Sequence, residues 1–372
     1  MLSRGPSMPV PSLTIESVLA KIEKVREVRR GKFYLREDKI TLSHGSGGKA
    51  THNLIEGIFA RTFSNPVLDR LEDAATIPLD RTGLRLAFTT DSYVVSPIFF
   101  PGGDIGQLAV HGTLNDLAMS GAEPLGLSVG MILEEGLPIA DLRRIVESMQ
   151  AAASVAGVPI VTGDTKVVNR GSADKLFINT TGVGLIRRDA DLSTFSARPG
   201  DKVLVSGPIG DHGIAVMIAR ESLDIELDVV SDTAALHGLV SALLDAVPDV
   251  RCLKDPTRGG LATSLNEIAL NSEVAIAIDE TAVPVRPAVR GACEILGIDP
   301  LTIANEGKLI AVVPSEAAET ALAALRAHPL GAEACLIGEV RAEPPGMVFL
   351  RTEIGGTRVL DMLVGDPLPR IC

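Results

Sequence analysis

The 372-residue chain has no tryptophan, two tyrosines and nine phenylalanines. An aromatic platform for stacking single-stranded nucleic acid is thereby disfavoured. The core must come from Ala, Val, Leu and Ile. Basic residues are outnumbered, 35 Lys and Arg against 47 Asp and Glu, for a net charge of −12. A nucleic-acid binder would need a basic surface, so that class is disfavoured too. No apolar run approaches the ~20 residues of a membrane-spanning helix. The first eighteen residues lack a continuous apolar core, so no secretory signal is expected. Cysteine is scarce, and Cys252, Cys293, Cys335 and Cys372 form no CxxC pair. A zinc ribbon and a thioredoxin-type site are excluded on that spacing. Sparse cysteine fits a reducing cytoplasm, the expected location. Cys252, Cys293 and Cys335 sit among apolar residues and read as inert buried thiols.

What is plentiful is glycine and proline, 36 and 23 residues, which implies many tight turns between short elements. Residues 1–36 read as an N-terminal extension, with one amphipathic helix spaced through Ile15, Val18, Leu19, Ile22 and Val25. Residues 37–190 alternate strands (Leu84–Thr90, Val158–Thr162, Leu176–Ile186) with two helices, around Ile105–Leu117 and Leu142–Ala153. Residues 191–201 lack periodicity and read as a linker. A second cycle over 198–349 has strands at Lys202–Ser206, Val274–Ile278 and Leu309–Val313. Its helices centre on Gly213–Arg220, Leu236–Leu244 and Leu261–Ala269. Strands alternating with helices predict an α/β fold of two related domains. Residues 350–372 read as a C-terminal tail, mobile at its proline-containing end.

Five motifs hold residues suited to chemistry. Ser43 to Ala50 places Gly45, Gly47, Gly48 and Lys49 in a loop that resembles a P-loop but lacks its first Gly and last Ser/Thr. It is a plain turn or a phosphate-covering loop of another kind. Asp73, Asp91, Asp116, Asp164 and Asp255 stand beside turns, with Asn115 before Asp116. Asp91 and Asp164 are each expected to end a strand, the edge that lines ligand crevices in α/β folds. Singly, each Asp reads as a turn former or cap. Together they suit Mg²⁺, a hard ion that takes oxygen ligands shared with phosphates. His212, in Gly-Asp-His-Gly, is expected near a helix N-terminus, where the dipole keeps it neutral as a potential base. Asn305-Glu306-Gly307-Lys308 precedes a strand. Cys372 ends the chain, where the α-carboxylate raises its thiol pKa, so a nucleophile there needs help from Arg370 or another cation.

Taken in order, Ser-His-Gly-Ser-Gly-Gly-Lys, Asn-Asp-Leu-Ala-Met-Ser-Gly-Ala, Gly-Asp-Thr-Lys, Gly-Asp-His-Gly, Asp-Pro-Thr-Arg-Gly-Gly, Asn-Glu-Gly and the terminal Pro-Arg-Ile-Cys resemble the AIR-synthetase (PurM-like) superfamily. Within it, the resemblance is to the branch that matures [NiFe] hydrogenases, and it covers about residues 37–372. It implies a PurM-like two-domain α/β fold with an ATP groove between the domains, a flexible C-terminal tail and a homodimer formed through the first domain. The implied activity is ATP-dependent dehydration of a carbamoyl group on Cys372 to a thiocyanate, the source of an iron-bound cyanide. Implied partners are the carbamoyltransferase HypF and the HypC–HypD complex. Implied cofactors are ATP and Mg²⁺.

By motif matching, Asp73, Asp91, Asp116, Asp164 and Asp255 hold the metal. Gly45, Gly47, Gly48, Lys49, Asp91, Asn115, Asp164 and Thr165 contact nucleotide. Cys372, His212, Glu306 and Lys166 are the catalytic set, with His212 and Glu306 removing protons and Lys166 stabilising phosphate charge. Another ATP-using enzyme of the superfamily, such as selenophosphate synthetase or thiamine-monophosphate kinase, needs no C-terminal cysteine. A non-catalytic thiol carrier needs no Mg-ATP site.

Overall fold

Two sheets of different size organise the chain. The computed structural model describes residues 44, 47–60, 62, 65, 67–79, 84–186, 191–220, 228–363 and 370–372. The expected helix in 1–36, and Gly45, lie outside the described residues. The short helix α1 (Lys49–Leu54) leads to the first sheet. That sheet comprises β1 (Ala75–Pro78), β2 (Arg85–Tyr93), β5 (Glu123–Glu134), β6 (Ile160–Val168) and β7 (Leu176–Ile186), in the order β1-β2-β7-β5-β6. A small ribbon of β3 (Phe99–Phe100) and β4 (Gly103–Asp104) precedes α2 (Ile105–Met119). Helix α3 (Ile139–Ala156) crosses from β5 to the parallel strand β6.

The local chemistry explains these elements. In β2, Ala87, Thr89 and Tyr93 are buried while Phe88 and Thr90 face out, the period of two that a half-covered sheet requires. Helix α2 is capped by Asp104, whose Oδ1 accepts from Gly106 N at 2.8 Å and Gln107 N at 3.0 Å. Gly106 lets α3 approach: a Cβ there would stand 2.6 Å from the Ile145 carbonyl oxygen. Helix α3 buries Ile145, Met149, Ala152 and Ala153 and ends at Gly157 in the left-handed region.

The second sheet runs β14-β13-β10-β12-β8-β11-β9. Its strands are β8 (Lys202–Val205), β9 (Cys252–Lys254), β10 (Ala275–Asp279), β11 (Ile310–Val313), β12 (Cys335–Arg341), β13 (Met347–Arg351) and β14 (Thr357–Leu360). Helices α5 (His237–Ala246), α6 (Gly260–Asn271) and α8 (Ala318–Ala327) pack on it, whereas α4 (Asp211–Arg220) and α7 (Pro287–Leu296) join the apolar cluster of the first unit. One apolar cluster runs from α2 and α3 through Ile214, Val289 and Ile303 of the second unit to Ile371. The two units are therefore joined by core packing, and the chain's end is part of that core. Among the described residues no helix is long and apolar enough to cross a membrane.

Three expectations are corrected here. Asp91 and Asp164 lie inside β2 and β6, not at strand ends. The segment read as a tail from 350 contains β14, a polar edge strand whose Thr-Arg-Val-Leu sequence carries no apolar alternation. In the stretch read as a linker, Arg198 N donates to Asp201 Oδ2 at 2.8 Å and Gly200 N to Val340 O at 2.9 Å. Cys335 is only partly buried, unlike Cys252 and Cys293.

Candidate active site

Three loops of the second unit meet at Asn305. Its Oδ1 accepts from Gly210 N at 2.7 Å, and its Nδ2 donates to Pro256 O at 2.8 Å and Ile303 O at 3.0 Å. Gly307 is required beside it, because a Cβ there would lie 1.8 Å from the Asp232 carbonyl oxygen. From the first unit, α2 sends Asn115 across. Its Nδ2 donates to Ala234 O at 3.0 Å and Glu306 O at 3.1 Å, and its Oδ1 accepts from Leu236 N at 2.8 Å. The motif resemblance assigns Asn115 to the nucleotide. Its polar atoms are instead committed to the main chain that carries Glu306.

Glu306 is buried, and its Oε1 has no hydrogen-bond partner. Burial, then the charges of Asp255, Asp91 and Asp232, push its carboxyl well above the usual range, while Arg258 opposes them. Its backbone N–H donates to Asp232 Oδ1 at 3.0 Å, and Asp232 pairs with Lys308 at 3.0 Å.

The thiol of Cys372 contacts this carboxyl. Cys372 is buried, and its pKa is raised by burial first, then by Glu306 and Asp91, while Arg258 acts in the opposite sense. Of the two expected sources of help, Arg370 or another cation, the cation beside the thiol is Arg258; Arg370 turns away to Asp174. The tail pairs with the segment that follows β2: Val94 N donates to Cys372 O at 3.4 Å and Ser96 N to Arg370 O at 3.2 Å. Ile371 fills a core position between these bonds.

His212 holds the same tail. Its Nε2 lies 2.8 Å from Ile371 O, and its Nδ1 lies 2.8 Å from Ser231 Oγ. A carbonyl only accepts, so Nε2 carries the proton. Nδ1 then accepts from the Ser231 hydroxyl, whose oxygen in turn accepts from Thr233 N at 3.2 Å. Burial lowers the His212 pKa, as a neutral ring requires. The expected base role is corrected: with both nitrogens engaged, His212 grips the tail rather than taking a proton.

Beside the thiol stands a group of carboxylates. Asp116 is partly buried, with its Oδ2 accepting from Thr89 Oγ1 at 2.7 Å. Burial, then Asp255, Asp91 and Asp73, raises its pKa well above the ordinary value. Asp255 is raised to about 7, by burial and then by Asp73. Lys254 pairs with Asp73 and lies 3.2 Å from Glu267. Asp91 faces Arg258 at 4.0 Å. Among the described residues, no three His, Cys, Asp or Glu side chains are arranged to hold a metal ion by themselves.

Asp164, Thr165 and Lys166 are not brought to this group within the chain. They lie on the exposed edge strand β6, where Asp164 pairs with Lys166 at 2.6 Å. Asp91 pairs with Thr180, Thr180 with Val129 and Val129 with Gly163. Three interstrand spacings, roughly 14 Å, thus separate Asp91 from the row beside Asp164. Gly47 packs on Arg258, since a Cβ would lie 2.6 Å from its carbonyl oxygen. Lys49 bonds Asp361 at 2.6 Å, so the glycine loop closes over the second unit next to Arg258.

Sequence reasoning missed Arg258, although it lies in the quoted Asp-Pro-Thr-Arg motif; a cation set among acidic turns was the available signal. Ser231, Arg220 and Asp174 gave no local signal.

Two family models match the chain: AIR synthase related protein, N-terminal domain, over residues 71–186, and AIR synthase related protein, C-terminal domain, over 198–350. A carbamoyl dehydratase HypE of Azotobacter vinelandii is 56% identical over 338 residues, spanning 91% of this chain and 98% of that protein. The chain belongs to the HypE family. A solved HypE in complex with ATP is 55% identical, with a TM-score of 0.75, covering 90% of this chain and all of its own. The HypE of a HypE–HypF complex is 49% identical, with a TM-score of 0.79, covering 83% of this chain and 99% of its own. The fold is accordingly the PurM-like two-domain α/β fold of the HypE family.

Proposed function

We propose that this chain is an ATP-dependent carbamoyl dehydratase that turns a carbamoyl group on its own Cys372 into a thiocyanate for hydrogenase maturation. The observation that carries this reading is the enclosure of the terminal thiol between Glu306 and Arg258, beside a buried carboxylate group. A thiol carrier has no use for such a setting.

The chemistry needs a better leaving group than oxide. The carbamoyl oxygen attacks the γ-phosphorus of ATP, and ADP leaves. The C–O bond of the resulting phosphate ester then breaks and inorganic phosphate departs, as the C–N bond becomes triple and both N–H protons are lost. Sulfur stays attached to carbon throughout. Glu306 is the proton acceptor in reach of the group on sulfur. Arg258 balances negative charge gathering near the thiol and the phosphoryl oxygens. His212 and Ser231 keep the tail's last carbonyls fixed, so the reacting atoms stay in register with Glu306.

The oxygen-rich group of Asp73, Asp91, Asp116 and Asp255 fits a hard divalent ion. The raised pKa values of Asp116 and Asp255 come first from burial and then from neighbouring carboxylates, a repulsion that a cation would relieve. One or two of these carboxylates, with substrate phosphates, would hold Mg²⁺, which would neutralise phosphate charge. Gly47, Gly48 and Lys49 would cover those phosphates.

The reading extends to partners. A HypF-type carbamoyltransferase would load Cys372, and a HypC–HypD-type complex would accept the cyanide, both in the cytoplasm. The outer face of the first sheet exposes Ile77, Phe88, Leu125 and Ile132. It would pair with a second copy and bring Asp164, Thr165 and Lys166 toward the partner's groove.

Intact-mass analysis of carbamoyl-loaded protein with and without Mg-ATP tests the activity. A Cys372 adduct that loses one water only with Mg-ATP, and is absent from Cys372→Ala, is the expected result. An adduct unchanged while ATP binds would leave only the carrier reading.

A further inference from the structure

Two side chains that do not touch the thiol hold the tail in place. The carbonyl of Arg370 accepts from Ser96 N at 3.2 Å and from Arg220 Nη2 at 2.8 Å. Arg220 also donates through Nε to Ser96 O at 2.9 Å. It therefore bridges the tail to the very segment the tail pairs with. The Arg370 side chain donates through Nε to Val94 O at 3.2 Å and through Nη1 to Asp174. Asp174 sits on the loop between β6 and β7, away from Glu306. That loop is itself anchored, with Lys175 N donating to Glu134 Oε2 at 2.9 Å. Arg370 adopts φ +56°, a left-handed conformation unfavourable for a non-glycine residue. A free tail has no reason to hold it, so contacts of this residue must maintain it.

We infer that Arg220 and Asp174 are positioning residues for the tail. Arg220 clamps its main chain, Asp174 clamps Arg370, and together they set how often Cys372 is enclosed beside Glu306. The inference rests on the dehydratase reading only in taking the enclosed state as the reacting one. The two clamps differ in character. Arg220 binds a carbonyl that any residue would offer. The Arg370–Asp174 pair is specific to this tail and about one-third to one-half exposed, 32% and 45%, so it is open to screening by salt.

The test is site-resolved alkylation of the full chain by iodoacetamide, following Cys372 and Cys335 separately by peptide mass. Asp174→Ala should raise the Cys372 rate about fivefold, the scale of a partly exposed ion pair. Arg220→Ala should raise it about tenfold or more, because two carbonyl bonds are lost. Asp174→Glu, which keeps the carboxylate, should return the rate to within about twofold of the wild type. Added salt should speed labelling of the wild type and barely affect Asp174→Ala. In the dehydration assay, kcat should fall for both alanine variants while KM for ATP holds. An unchanged Cys372 rate in Asp174→Ala, failure of Asp174→Glu to keep the wild-type rate, or an equal rise at Cys335 would each overturn the inference. If labelling follows the expected pattern but no protein loses water with Mg-ATP, the dehydratase reading fails and the tail clamp stands.

Discussion

Replacing Asp255 by Asn should make the metal-free protein more stable at neutral pH. Asp255 is fully buried, and burial together with Asp73 raises its pKa to about 7 in the folded state. In the unfolded chain its pKa is ~3.9. The folded state therefore binds more protons than the unfolded state across this window. The stability that Asp255 contributes is complete below about pH 4 and is lost as pH rises toward about 7. At ~1.4 kcal/mol for each pH unit between the unfolded and folded pKa, the loss is bounded at about 4 kcal/mol. Asparagine resembles the protonated form and does not titrate. The variant should match the wild type near pH 4 and exceed it by up to about 4 kcal/mol near pH 7.5. Urea denaturation in EDTA at several pH values measures the difference. Parallel stability curves for the two proteins over this range would refute the placement of Asp255 in a buried, mutually repelling group. Millimolar Mg²⁺ with ATP should narrow the gap in favour of the wild type, since a ligand that binds the folded state stabilises it.

Glu306→Gln keeps the shape of the side chain but removes the base; kcat should fall ~10²–10⁴-fold with ATP binding retained, and a loss under tenfold would remove Glu306 from proton transfer. Ile371→Ala deletes three buried carbons at ~0.8 kcal/mol each, so Cys372 alkylation should speed up by a factor on the order of 50, while the urea midpoint stays put because the tail undocks without unfolding the domains. Asn115→Ala strands the Ala234 carbonyl and the Leu236 N–H and leaves the Glu306 carbonyl only its bond from Ala234 N; it should cost about 2–4 kcal/mol by urea denaturation. Asp164→Asn, on the exposed edge strand, should leave stability within about 0.5 kcal/mol; if it lowers dehydration, mixing it with Cys372→Ala protein tests whether the two copies complement one another.

Periodicity showed the strands and helices that have a clear inner face. Leu176–Ile186 is strand β7 as expected, and its burial alternates strictly; Leu142–Ala153 lies in α3, where Ile145, Met149, Ala152 and Ala153 are buried. Strand β5 was not legible, because Pro124 and Gly126 interrupt its alternation at a bulge. Strand β14 was not legible because an edge strand needs little apolar surface. The acidic turns were legible as a group, since Asp73, Asp91, Asp116 and Asp255 do converge. Asp164 stood in an equally suggestive motif and does not join them, because sheet order places β7 and β5 in between.

The sequence alone determined the family, through the order of its short motifs, and singled out the terminal cysteine that the proposed reaction uses. Those features are local, and a side chain's chemistry travels with its identity. Only the tertiary structure decided which groups face that thiol. Arg258 lies 114 positions from Cys372 in the chain yet is the cation beside it, whereas Arg370, two residues away, is turned to Asp174. Likewise His212 has a suitable setting for a base, but the tail carbonyl on Nε2 and the Ser231 hydroxyl on Nδ1 commit both nitrogens. Proton positions and charge partners depend on distances across loops that are remote in sequence, and those distances are set by packing of the two units around Asn115, Asn305 and Ile371.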